Sequence, residues 1–500
     1  MNESNIGSRR LYRRASELPA DAKSFIVKML TVQLQSEYAD APDRSGSICP
    51  TVEDKSWLDF QIAQEKAHGL GVARILEEMG VDPAPLIAQA ETSVMEGDRK
   101  LDYFKIRMED WIERSMTRVL AERTGGIQSI GGLGASFIPL AVWNAKNYVD
   151  EALGHTKQGV LYARQLVEKG SSAECQNAVD KFYPSCLDIF GGVATPNEKR
   201  YIELGVKTLT NNQSRALWIR SLERDLDALG LRMPQARWKG IRSAYPAEEV
   251  DTFNMFLEVD DMPAERRKLA ARFLSGWLTA KYARQNAMAV FVAPTPLLKH
   301  EVALEMAAER DAGLAIAKML RKLDVDPNPI ADEAERTLDG GRYKVDFLKQ
   351  PLPATWEGIG VQQLVAARVA QAAALASFGS PVVPLAVWSG VHYDTQEKIA
   401  ENWLERLKQA PIWSVQSQGQ HALDLCLSRA LDVFGADESK NETAYFKAGL
   451  KTASNSEVRR IFVEMISEDL ATLGLRAGDT SKGSRASYAV AGERATAEAS

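Results

Sequence analysis

Cysteine and histidine are scarce in this chain, with four and five copies among 500 residues. The cysteines Cys49, Cys175, Cys186 and Cys426 show no CxxC spacing, which excludes a zinc knuckle and supports no disulfide framework. No apolar run reaches the roughly 18 residues that a membrane span needs, and the opening MNESNIGSRRLYRR has no apolar signal core, so no membrane association is expected. A net charge of −6 leaves no basic footprint for nucleic acid. The glycine-rich GGLGAS beginning at Gly131 follows no strand and is not a dinucleotide fingerprint, and nothing else resembles a flavin, NAD or iron–sulfur site. What remains is 45% hydrophobic and 26% charged, the composition of a cytoplasmic globular protein with apolar surface for two cores.

What is present is written twice. VDPAPLIAQAE from Val81 returns as VDPNPIADEAE from Val325, and FIPLAVW at 137–143 as VVPLAVW at 382–388. LDIFGG at 187–192 returns as LDVFGA at 431–436, and DLDALGLR at 225–232 as DLATLGLR at 469–476. Landmarks in one order at an offset of 244 or 245 point to a duplication.

Each copy reads as helical. Residues 22–40, 54–79, 107–134, 138–170, 174–190 and 197–230 carry apolar positions at i, i+3, i+4 and i+7, without the long β-branched alternation of strands. Thr51 after Pro50 marks a helix start, and Gly80 before Asp82-Pro83 a helix stop. The expected organisation is all-α: a helical bundle over 20–241, a linker over 242–262, a second bundle over 263–477, and a small, polar, disordered tail over 478–500.

The chemistry lies in carboxylates at bundle spacing. A bundle that holds two metal ions takes one carboxylate from each of two helices and a Glu with a His from each of the other two. Glu37 sits on an otherwise apolar helix face, and Glu65 with His68 follows 28 residues later. Glu122 is followed 29 residues later by Glu151 with His155. Carboxylates bridge and charge-balance two iron ions, and neutral imidazole completes each sphere while leaving positions for dioxygen. A single E-x-x-H is more often a surface pair than a ligand pair; two such pairs, each preceded by an in-phase carboxylate at matched distance, are a much stronger signal. In the second copy Gln285 is aligned with Glu37, Glu309 retains Glu65, and Ala312, Ala367, Gln396 and Ala400 stand for His68, Glu122, Glu151 and His155. Five of six ligands are thus lost as a set, which implies one metal-binding bundle and one metal-free partner bundle.

At these residues the chain resembles the catalytic subunits of phenylacetyl-CoA 1,2-epoxidase multicomponent monooxygenases, which are ferritin-like carboxylate-bridged diiron proteins. The resemblance covers about residues 20–235. It rests on Gln35-Ser36-Glu37, Glu65-Lys-Ala-His68-Gly-Leu, Glu151 with His155-Thr-Lys-Gln-Gly, and Pro184-Ser185 leading into Phe190-Gly191. It implies that Glu37, Glu65, His68, Glu122, Glu151 and His155 are the iron ligands, with the four glutamates catalytic. It also implies that a subunit and its metal-free relative are fused here, as two tandem ferritin-like bundles forming a pseudo-dimer.

Three positions depart from the family pattern. His155 follows Glu151 by four residues rather than three, Glu122 replaces an aspartate, and Gln64 replaces an acid that orients a ligand histidine. To aim Glu151 and His155 at one ion, a π-type widening with an i→i+5 hydrogen bond is expected between 150 and 156.

The resulting expectation is a diiron monooxygenase with two iron ions and O2 as co-substrate, acting on a small-molecule substrate and drawing electrons from a separate reductase. A homo-oligomer is allowed. Aromatic acyl-CoA epoxidation is the reaction that the resemblance implies. Hydroxylation, N-oxygenation or desaturation of another small molecule, and a non-catalytic ferritin-like scaffold, stay open. Gly125, Gly126, Gly131, Gly132 and Gly134 are read either as close helix packing or as room for a substrate cavity. His300, His392 and His421 are read as structural, Trp143 and Trp388 as core, and Lys146 and Arg164 as solvated cations with a lesser claim on an anionic substrate.

Overall fold

The computed structural model describes residues 9–38, 48–96, 108–283, 289–290, 292–336, 347, 350–478, 480 and 483. They are helical, and among them no strand occurs beyond three isolated bridges. Residues Leu11–Met255 form one compact unit, and those from Phe256 onward belong to a second. The stretch expected as a linker is divided: Tyr245 and Arg242 bond to Asp188 in the first unit, and Phe256 donates its N–H to the Pro381 carbonyl in the second. Of the expected tail, only residues 478, 480 and 483 are described.

In the first unit α1 (Ala20–Glu37) starts directly after Pro19, and its buried stripe of Ile26, Leu30 and Leu34 ends on Glu37. Helix α2 (Val52–Glu78) is capped by Thr51, whose hydroxyl accepts the Asp54 N–H at 3.1 Å. Its buried face carries Leu58, Gln61, His68, Val72 and Leu76. Helices α3 (Ala84–Glu96), α4 (Trp111–Thr117), α5 (Arg123–Gly132), α6 (Ile138–Tyr148), α7 (Thr156–Glu168), α8 (Ser172–Asp188), α9 (Pro196–Glu203) and α10 (Asn211–Ala228) follow.

In the first unit two junctions are π-helical. Val149–His155 joins α6 to α7 with the widening expected there, and Arg118–Glu122 joins α4 to α5 without any sequence signal. The glycines after Glu122 serve packing. A Cβ on Gly125 would stand 3.1 Å from the Glu151 carboxyl carbon, and one on Gly126 would stand 2.9 Å from the Ala152 Cβ. Gly132 leaves no room beside Asn144. At these three positions the missing side chains are replaced by neighbours, not by a substrate cavity; Gly125 and Gly126 let α5 approach the Glu151 segment closely, and Gly132 lets it approach Asn144 of α6.

The second unit contains α11 (Ala264–Lys281), α12 (Pro296–Lys322), α13 (Asn328–Arg336), α14 (Trp356–Ala374), α15 (Val383–Gln409), α16 (Gln420–Asp432), α17 (Lys440–Lys447) and α18 (Asn455–Leu473). Its bonding repeats that of the first. The Trp143 indole donates to the His68 carbonyl, and the Trp388 indole to the Ala312 carbonyl. Arg123 pairs with Asp225, and Arg368 with Asp469. Gln176 donates to the Arg232 carbonyl, and Gln420 to the Arg476 carbonyl. One helical segment, 356–377, is long and apolar enough to cross a membrane, although no such run was expected; 78% of its most apolar window is buried inside the protein.

The repeated geometry revises two alignments. Helices α1 and α11 each run 18 residues, from the position after Pro19 or Pro263 to Glu37 or Lys281. Lys281 therefore stands where Glu37 does, and Gln285 lies outside the described residues. The buried positions 151, 155, 156, 159 and 163 match 396, 399, 400, 403 and 407. The offset falls from 245 to 244 inside the π segment, so Ile399, not Ala400, is the counterpart of His155.

Candidate metal centre

The six expected residues of the first unit converge. One ligand atom each from Glu37, Glu65 and His68 lies within 4.8 Å of the others, and the same holds for Glu65, Glu122, Glu151 and His155. Both imidazoles turn Nδ1 to the centre. His68 Nδ1 is 3.7 Å from Glu37 Oε2, 3.5 Å from Glu65 Oε2 and 3.7 Å from Glu151 Oε1. His155 Nδ1 is 3.2 Å from Glu65 Oε1, 3.8 Å from Glu122 Oε2 and 3.7 Å from Glu151 Oε2. Glu65 and Glu151 thus show one oxygen to each histidine, while Glu37 faces only His68 and Glu122 only His155.

The outer nitrogens are held. His68 Nε2 lies 3.0 Å from Asp150 Oδ2, and His155 Nε2 lies 3.0 Å from Gln64 Oε1. Gln64 Nε2 donates in turn to Asp150 Oδ1 at 3.2 Å. Gln64 and Asp150, which precede Glu65 and Glu151, thus each orient the histidine of the other helix. Such partners fix the tautomer and leave the inner nitrogen free to ligate. Neither Nδ1 has a hydrogen-bond partner, although His68 and His155 are almost fully buried. Left unprotonated, each Nδ1 would be a buried acceptor without a donor, at a cost of about 1–3 kcal/mol that a proton or a bound cation relieves. The donor set of four carboxylates and two imidazoles fits a pair of divalent first-row metal ions.

Electrostatics shows the same demand for positive charge. Burial raises Glu37 to about 7 and raises Glu151 well above the ordinary carboxylate range. Burial opposes ionisation of Glu65 and Glu122 too, but adjacent imidazoles outweigh it and hold both below their ordinary value. For His68, burial favours the neutral ring, yet Asp150, Glu37 and Glu65 raise it to about 12; Glu122, Glu151 and Glu65 do the same for His155. Protons occupy the centre where cations would otherwise balance the carboxylates.

Several contributors were not foreseen. Gln61, one turn before Glu65 on the same buried stripe, donates to Glu122 Oε1 at 2.6 Å, and Gln33 donates to Glu37. Arg118, a turn before Glu122, is fully buried with its guanidinium carbon 4.1 Å from the centre of the Trp57 ring. Trp57 packs edge-on against His155, with ring centres 6.3 Å apart. The apolar-to-charged pattern marks Glu122 but gives no sign of Arg118, whose environment comes from three separate helices. Lys146 and Arg164 lie exposed, as do His300 and His421, whereas His392 is buried and stacked on Trp388.

Substituting Gln64 or Asp150 by alanine is expected to weaken metal binding about 10–100-fold without emptying the site under excess metal. Equilibrium titration with Fe(II) or Co(II) checks this; affinity unchanged in both variants would deny the orienting role.

In the second unit the six matching positions hold Lys281, Glu309, Ala312, Ala367, Gln396 and Ile399. The Lys281 ammonium donates to Glu309 Oε2 at 2.5 Å and Gln396 donates to Glu309 Oε1, so a fixed cation and an amide saturate the one retained carboxylate. No family model and no curated protein matches the chain.

Proposed function

We propose that this chain is a diiron oxygenase that uses dioxygen to oxidise a small organic substrate, built as two ferritin-like bundles forming a pseudo-dimer, with its metals in the first. The observation that carries the reading is the pair of buried, orphaned Nδ1 atoms facing two carboxylates that each reach both histidines. Glu37, Glu65, His68, Glu122, Glu151 and His155 would hold the ions, Glu65 and Glu151 each presenting one oxygen to either histidine. When bound, iron supplies the electron transfer to dioxygen that no side chain can perform. The protein supplies geometry and charge. Asp150 and Gln64 fix the histidines, Gln61 and Gln33 hold the outer carboxylates, and the Trp57–Arg118 stack closes the side behind His155.

No flavin, nicotinamide or iron–sulfur motif occurs in the sequence, so electrons come from a separate reductase under this reading. Epoxidation of an aromatic acyl-CoA is the substrate class that the family resemblance favours. Elemental analysis of protein purified from iron-replete cells is expected to give about two irons per chain. His68→Ala and Glu151→Ala are expected to lose that stoichiometry while keeping helical circular dichroism. Full iron content in both variants would overturn the ligand set. Iron that is bound but consumes no dioxygen after reduction, with or without acyl-CoA substrates, would leave a metal-binding scaffold in place of an oxygenase.

A further inference from the structure

The second unit contains a cavity of about 830 Å³. Close-packed protein interiors leave few voids larger than a water molecule, whereas small-molecule sites fall at roughly 300–1,000 Å³. The space therefore belongs with binding sites rather than with packing defects. It exists because one wall is made of small residues. Ala366, Ala367, Ala370 and Ala373 present methyl groups from successive turns of α14, where larger aliphatic side chains would fill the gap. The lining also includes Trp277 and Trp403.

The polar lining is charge-balanced: Arg272, Lys281 and Lys451 face it with Glu305, Glu309 and Glu442, and Gln396 joins Lys281 and Glu309. Lys281 is 3% exposed, and its ammonium has three donors, one of which goes to Glu309. Both Glu309 oxygens are already engaged, one by Lys281 and one by Gln396. Among the described residues no second acceptor is found for the ammonium, so donors remain for whatever enters. The charge of the Lys281–Glu309 pair is balanced within the wall. An added carboxylate would bury one uncompensated negative charge, whereas a carbonyl or ester would accept a hydrogen bond without disturbing the balance.

We propose that this cavity is a binding site for an uncharged, predominantly apolar small molecule whose carbonyl or ester oxygen accepts a hydrogen bond from Lys281. The site is independent of the metal centre: it lies in the unit whose matching positions hold a lysine, one glutamate, an amide and apolar residues. It gives the metal-free half a ligand of its own.

Nile red, an uncharged dye with a carbonyl acceptor that brightens in apolar surroundings, tests the site on the full chain without added metal. Saturable one-to-one binding is expected. Filling the alanine wall with Ala370→Phe or Ala373→Phe is expected to weaken it at least about tenfold. The double variant Lys281→Met/Glu309→Gln removes the donor without stranding a charge and is expected to weaken it by about tenfold, the equivalent of one hydrogen bond. Methyl laurate is expected to displace the dye, and laurate is not. Unchanged dye affinity in both wall variants, each shown to be helical by circular dichroism, would overturn the site. Displacement by laurate but not by its ester would overturn the ligand class. Because the assay uses no iron, its failure leaves the metal centre untouched, and loss of the metal centre leaves it readable.

Discussion

Glu65→Ala is expected to empty both metal positions, whereas Glu37→Ala or Glu122→Ala should empty only one. Glu65 belongs to both clusters of ligand atoms, but Glu37 lies only with His68 and Glu122 only with His155. Removing the shared carboxylate strips each position of a ligand and adds an uncompensated imidazole charge in the metal-free state, since His68 and His155 both owe their raised basicity partly to Glu65. Removing an outer carboxylate leaves the opposite position with all its neighbours. Bound metal per chain, measured by elemental analysis after desalting, should therefore fall from about two to near zero for Glu65→Ala and to about one for either outer variant. Equal losses for all three would mean that Glu65 is not shared.

The second large effect is on protons. In the metal-free centre the neighbouring carboxylates favour a proton on each imidazole beyond the neutral ring, and burial favours the protonated forms of Glu151 and of Glu37, which is raised to about 7. Ligands to a metal must be deprotonated. Two divalent ions carry the positive charge that these protons supply, so their binding should expel about two or more protons per chain. The sign follows directly: lowering the pH adds competitor to the site, and apparent affinity falls steeply. Calorimetric titration with Co(II) in buffers of different ionisation enthalpy measures the number. Release of fewer than about two protons would mean that the centre does not bind two ions through these six groups.

Much of the helical fold is legible in the sequence. Helix positions follow from apolar spacing and from Thr51 and Gly80, because those residues act locally. Glu37, Glu65, His68, Glu122, Glu151 and His155 stood out because charged groups on buried helix stripes are rare. The widening at Val149–His155 was foreseen from one residue too many between two side chains that must face one point. The second widening, at Arg118–Glu122, was not legible, since Trp111 and Arg123 keep the same offset to Trp356 and Arg368 across it. Lys281 was missed because a helix end can slide by a turn in an alignment without disturbing any apolar landmark. Ile399 was misassigned for a related reason: sequence shows that a residue has been gained, but only burial shows between which side chains it sits. The roles of Asp150 and Gln64 depend on contacts across helices 82 and 91 residues apart in the chain.

The π turn at Val149–His155 also dates a change in the molecule's history. The two halves keep matched buried positions on both sides of it, and α15 runs uninterrupted through the corresponding stretch. A length difference confined to one of two repeats arose after the repeats separated. It is an insertion in the first half or a deletion in the second, and in either case the widened turn holds the extra residue without rotating the rest of the helix. The packing on both sides of the turn is therefore common to the two halves, whereas the spacing between positions 151 and 155 belongs to the first alone.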